Sequence, residues 1–127
     1  MAIPIVITGT VEHGRALGRR LGFPTANLQM YAYEGEGPDG VYAAWFRCGG
    51  RKFGCMVNIG RHPTLPEGEK TIEAHIFDFS EDIYGKQAEL ETVAYLRGEI
   101  RFPSVDALAA QLAADKQRSL NILALKD

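Results

Sequence analysis

Near residue 103 the periodicity of this chain changes, and the change sets its architecture. From Ile3 to about Phe102 it is a series of short β-rich runs cut by Gly/Pro clusters, and from Ser104 apolar residues recur at helical spacing. Ile3–Val11, Val41–Cys48, Lys52–Ile59, Thr71–Phe79 and Ala88–Leu96 read as strands. Gly49-Gly50, between the second and third, readily supplies the positive φ of a tight hairpin. Short strands at this spacing, without βαβ alternation, predict a mainly β fold, an antiparallel barrel or sandwich. The tail opens on Pro103-Ser104, an N-cap, with Asp106 at the positive end of the helix dipole; Leu108 and Leu112 share a face with Ala109 and Ala113 beside them. This helix, about 104–125, is expected on the barrel's outside or across one end. Side chains fill a barrel of this size, which directs a ligand to its rim, among the loops.

The length of 127 residues suits a single domain over 1–127, with the barrel at about 3–102. The longest apolar run, Met1 to Ile7, is interrupted by Pro4, too short for a bilayer and without a secretory pattern, so a soluble, cytoplasmic protein is expected. Charge is uneven. Residues 1–66 hold seven Lys/Arg against four Asp/Glu, and residues 67–127 hold seven against twelve. Arg15, Arg19 and Arg20 lie close together beside Gly14 and Gly18, a composition suited to a small anion such as a phosphate. The acidic total, −2, argues against extended nucleic acid. Cys48 and Cys55 show no metal-ligand spacing and read as free thiols, with a cross-strand bridge the geometric alternative.

Two segments are rich in Gly and Pro. Glu12–Leu28 reads EHGRALGRRLGFPTANL, and Asn58–Lys70 reads NIGRHPTLPEGEK. Each is either a turn-rich crossover or a ligand loop. No P-loop, GxGxxG or HExxH motif occurs, and His13, His62 and His75 are scattered. In extended Pro24-Thr25-Ala26-Asn27, residues 25 and 27 point to one side and offer a hydroxyl and a carboxamide oxygen. Such hard neutral groups suit Mg²⁺, which takes its other ligands from water and substrate phosphates; a Pro-led turn with an Asx hydrogen bond is the plainer reading. Glu73 shares a strand face with His75, Phe77 and Phe79. Beside aromatic surface a carboxylate is partly desolvated and becomes a better base, whereas on a wet face it is merely solvated.

Together these segments resemble the riboflavin kinase (flavokinase) family, in the form of the C-terminal module of bacterial bifunctional FAD synthetases. The likeness rests on Gly9-x-Val11-x-His13-Gly14, Gly18-Arg19-x-Leu21-Gly22-Phe23-Pro24-Thr25-Ala26-Asn27-Leu28 and Gly40-Val41-Tyr42-Ala43. It continues through Asn58-Ile59-Gly60, Pro63-Thr64, Ile72-Glu73-x-His75, Tyr84-Gly85, Leu96-Arg97-x-Glu99-x-Arg101-Phe102, Leu108, Gln111 and Asp115. Gly98 stands where the family often has proline.

The resemblance implies a six-stranded antiparallel Greek-key barrel with a C-terminal helix, carrying γ-phosphoryl transfer from ATP to the riboflavin 5′-hydroxyl to give FMN and ADP. It implies Glu73 as general base and Thr25 and Asn27 as ligands of Mg²⁺ and the ATP phosphates. Gly14 and Arg19 would cover those phosphates, Ile76, Asp78 and Tyr84 would line the adenine side, and Arg97 and Phe102 would contact the flavin. In bifunctional relatives a nucleotidyl-transferase domain precedes this module. Here Met1 stands directly before the first strand, so phosphorylation without adenylylation of FMN is expected. The expected partners are riboflavin and ATP, not nucleic acid or membrane, and the protein is expected to act as a monomer. Two rival readings are a non-catalytic flavin- or nucleotide-binding module on the same fold, and an OB-like barrel for single-stranded nucleic acid.

Overall fold

A computed structural model describes residues 4–13, 25–60, 70–77 and 82–126. Six strands are described: β1 (Val6–His13), β2 (Thr25–Glu34), β3 (Gly40–Cys48), β4 (Arg51–Gly60), β5 (Thr71–Ile76) and β6 (Gln87–Arg97), followed by helix α1 (Val105–Lys126). The strands close into a barrel in the order β1-β2-β5-β4-β3-β6, every pairing antiparallel. Strands β3, β4 and β5 form a meander, and β2 returns beside β5, which is the Greek-key arrangement.

Periodicity finds five of these strands and places the start of the sixth in a loop. Strand β2 begins at Thr25, directly after Pro24, and alternates like the others: Ala26 and Leu28 are buried in the core while Gln29 is exposed. Strand β5 stops at Ile76, short of the expected Phe79; the Phe77 amide instead donates to the Gly54 carbonyl at 2.9 Å. The hairpin between β3 and β4 turns at Gly49 and Gly50, with φ of 61° and 76°. Both values are positive, as a two-residue primed turn requires.

The pleat sorts side chains to two faces. Ile7, Val11, Leu28, Phe46, Val57, Ile59, Ile72 and Leu90 fill the interior. A second cluster forms outside the barrel, where Val41, Ala43, Met56 and Leu96 meet Leu123 of α1. Helix α1 therefore lies on the outer wall rather than across an end. A Cβ at Gly54 would stand 3.0 Å from Leu123 Cδ1, so a glycine there lets the helix come close. The Ala107 amide donates to Ser104 Oγ at 3.1 Å, which is the expected N-cap.

Cys48 and Cys55 are buried free thiols. Cys55 stands opposite Ala44 and Cys48 opposite Arg51, so the hairpin register does not pair them. Burial pushes the Cys55 thiol well above its ordinary range. Among the described residues, no helix is long and apolar enough to cross a membrane.

Candidate active site

Ile72 and Ala74 face the barrel core at 1% and 0% exposure, so the intervening Glu73 projects from the outer wall. Strand register then fixes its neighbours. Glu73 is directly opposite Asn27 of β2 on one side and Asn58 of β4 on the other. Asn58 is opposite Val41 of β3, and Val41 is opposite Arg97 of β6. One ladder row thus runs Asn27–Glu73–Asn58–Val41–Arg97 across five strands, and directly opposed residues share a face. With strands about 4.8 Å apart, the carboxylate-bearing residue sits roughly 5 Å from Asn27 along the row and about 14 Å from Arg97.

The row borders a cavity of about 250 Å³ between the wall, the segment after β6 and the first turns of α1. Asn58, Glu73, His75 and Arg97 line it from the barrel, Glu99 and Phe102 from the segment, and Leu108 and Leu112 from the helix. This is the outer wall, not the rim expected for a ligand. The interior is filled, and a helix leaning on the wall supplies the second side that a cleft needs.

At the Arg97 end of the row, the guanidinium is held by a fork. Its Nε donates to both carboxylate oxygens of Asp115, at 3.2 and 3.0 Å, and its Nη2 donates to Oδ2 at 2.8 Å. Nη1 donates to the Gly98 carbonyl at 3.0 Å, and the guanidinium carbon stands 5.8 Å from the Phe102 ring centroid. The Glu99 carboxylate lies over Gly60, where a Cβ would collide with it.

At the opposite end of the row, Asn27 Oδ1 is buried without a hydrogen-bond partner. Leaving a buried acceptor unpaired costs about 1–3 kcal/mol, so its natural complement is a donor or a cation. Among the described residues, no group of three or more His, Cys, Asp or Glu could hold a metal. A cation here would therefore resemble Mg²⁺ bound by few protein oxygens, completing its shell with water and phosphate, and the Asn27 acceptor fits that chemistry.

Thr25 opens β2 two residues before Asn27, opposite His75. Ile76 is opposite Cys55, and Tyr84 packs on the interior core beside Gly85, whose amide donates to the Val11 carbonyl at 2.8 Å. These three stand toward the barrel end where β1 finishes and β2 begins, and neither Ile76 nor Tyr84 lines the cavity. Gly14, Arg19 and Asp78 lie outside the described residues. The structure thus brings Glu73, Arg97 and Phe102 around one cavity, with Asn27 one strand away. Residue patterns alone give no role to Asn58 or Asp115. Both stand within the quoted family segments, but only strand register and helix docking put them beside Glu73 and Arg97.

A family model described as "Flavokinase: Riboflavin kinase" matches residues 1–123. A bifunctional riboflavin kinase/FMN adenylyltransferase of Haemophilus influenzae is 42% identical over 113 residues, covering 88% of this chain and 36% of that protein. The chain spans little more than a third of the first three curated relatives that it matches, at 36–38% of their lengths. Among solved structures, one described as a macrolide-efflux protein from Streptococcus pneumoniae superimposes with a TM-score of 0.81 at 35% identity, over 91% of this chain and 38% of that one. Riboflavin kinase from Trypanosoma brucei shares the fold, with a TM-score of 0.64 at 22% identity over 97% and 78% of the two chains. A closed six-stranded barrel with an outer-wall cleft, and a family match over nearly all its residues, establish that this chain belongs to the riboflavin kinase (flavokinase) family.

Proposed function

We propose that this chain transfers the γ-phosphoryl group of ATP to the 5′-hydroxyl of riboflavin, giving FMN and ADP. The observation that carries the reading is the single outer-wall row in which Glu73 stands between Asn27 and Arg97. Phosphoryl transfer asks a protein mainly for in-line positioning and for charge to be neutralised where it develops. Glu73 accepts the proton of the ribityl hydroxyl as its oxygen bonds to phosphorus and the bond from phosphorus to the ADP oxygen breaks. Asn27 and Thr25 would hold Mg²⁺, which when bound neutralises phosphate oxygens. Arg97 and Phe102 bind the flavin ring, and the apolar faces of Leu108 and Leu112 keep that side of the cleft dry.

Gly14 and Arg19 cover the phosphates, while Ile76, Asp78 and Tyr84 flank the adenine. The barrel and helix act as one monomeric cytoplasmic unit on small molecules. The test is riboflavin-dependent release of ADP with formation of FMN, assayed with and without divalent metal. FMN formation that requires metal supports the reading. Tight binding of riboflavin and Mg-ATP without any FMN would instead identify a non-catalytic binding module.

A further inference from the structure

We propose that Asp115, with Gln111 behind it, is a positioning residue that sets the flavin affinity of the cleft by fixing the Arg97 guanidinium. The inference rests on the kinase reading above and adds a residue to it. Asp115 faces the barrel from the middle of α1 with its side chain only 4% exposed, and Arg97 is 16% exposed. The Asp115 carboxylate takes the Nε/Nη2 edge of Arg97, and Gln111 Nε2 donates to Asp115 Oδ1 at 2.9 Å, which holds the carboxylate in turn. Nη1 gives one N–H to Gly98, so a donor remains on each terminal nitrogen of a side chain that lines the cavity. Those donors can meet an acceptor oxygen of the flavin without the rotamer freedom that an untethered arginine would have to lose.

A purely structural role is the weaker account. Buried ion pairs are poor sources of net stability compared with apolar contacts of the same shape. The helix also has an independent apolar seam, through Leu112, Leu120 and Leu123, to hold it on the wall. What the fork adds is a fixed direction for the guanidinium.

The test is steady-state kinetics of Asp115→Asn, varying each substrate with the other saturating. The riboflavin KM should rise roughly tenfold, the size of one charge-assisted hydrogen bond, with kcat and the Mg-ATP KM within about threefold of the parent. Mere loss of folded protein lowers the apparent kcat and leaves KM alone, and that pattern would overturn the proposal. So would an equal rise in both KM values. If Asp115→Asn does not fold, Gln111→Leu removes only the bond behind the carboxylate; it should raise the riboflavin KM about threefold, and an unchanged KM overturns the inference. Should the parent protein make no FMN, the kinase reading fails separately. Quenching of riboflavin fluorescence then decides the matter, with weaker flavin binding in the variant than in the parent as the expected result. Equal flavin affinity in parent and variant, or no flavin binding at all, sinks the role assigned to Asp115.

Discussion

Met56 and Asn58 are two residues apart on β4 and both project from the barrel's outer wall, yet Met56 is 1% exposed and Asn58 is exposed. Helix α1 makes the difference. Where it covers the wall, the outward residues are Val41, Ala43 and Met56, and the contact is a second apolar core. Beyond its edge the outward residues are Asn58, Glu73 and Asn27, and one of them keeps a buried acceptor unpaired. The same pleat delivers both sets at the same period. On the proposed function the covered wall serves stability and the uncovered wall serves chemistry, so substitutions in the two regions should separate cleanly.

The sharpest separation comes from Glu73→Gln. A positioned general base contributes about 10²–10⁴-fold, so turnover should fall by that factor while riboflavin and Mg-ATP still bind. Because Glu73 stands outside both apolar clusters, the melting temperature should hardly move. Unchanged turnover in this variant would remove Glu73 from the mechanism. Phe46→Ala is the converse experiment. Phe46 is fully buried inside the barrel, and its truncation should cost about 3–5 kcal/mol in denaturant unfolding with little change in KM of the folded fraction. A loss well under 1 kcal/mol would mean that the interior is not what holds the wall in register.

The covered and uncovered regions are not equally legible in the sequence. The Gly49-Gly50 hairpin, the Ser104 cap and the alternation of β3, β4 and β6 are local features, encoded within a few residues, and periodicity finds them. Strand β2 is less visible because it opens on Thr-Ala-Asn directly after a proline in the sequence, residues that also serve in turns, and only the alternation of Ala26 and Leu28 marks it. The row through Glu73 is a different matter. It exists because β2 returns beside β5 in the Greek key, so Asn27 and Glu73, far apart along the chain, become direct neighbours. No local pattern carries register between distant strands; here the resemblance to a known family names the residues, and the barrel explains why they can act together. The fork from Asp115 to Arg97 and the outer-wall position of the cleft are hidden for the same reason, since both depend on where α1 docks.

Asn27→Ala probes the border between the two regions with a smaller effect. The change removes the proposed metal ligand and also removes an unpaired buried acceptor. The Mg-ATP KM should rise roughly tenfold with a higher Mg²⁺ requirement, while thermal stability holds or improves slightly, because the desolvation cost of the lone carbonyl disappears. Normal Mg-ATP affinity would contradict the metal assignment. A large loss of stability would show that Asn27 belongs with the structural wall.

The smallest expected effect lies on β3, at a residue outside the ladder row. The Tyr42 hydroxyl donates to the Pro38 carbonyl, and its ring meets Tyr95 edge-on with centroids 5.2 Å apart. Burial, followed by the neighbouring Tyr33, Tyr95 and Asp39, raises its pKa above the ordinary 10.0. The phenol therefore ionises later in the folded protein than in the unfolded chain. Its contribution is complete below about pH 10 and is lost as pH rises from there through the folded-state value, because the unfolded state sheds its proton first. Tyr42→Phe should cost about 1 kcal/mol near neutral pH through the lost hydrogen bond, and its stability should decline less steeply than the parent's in alkali. Denaturant midpoints measured across the alkaline range check this. Parallel slopes in the two proteins would mean that Tyr42 titrates like an exposed tyrosine and that the inner side of β3 is wetter than its burial implies.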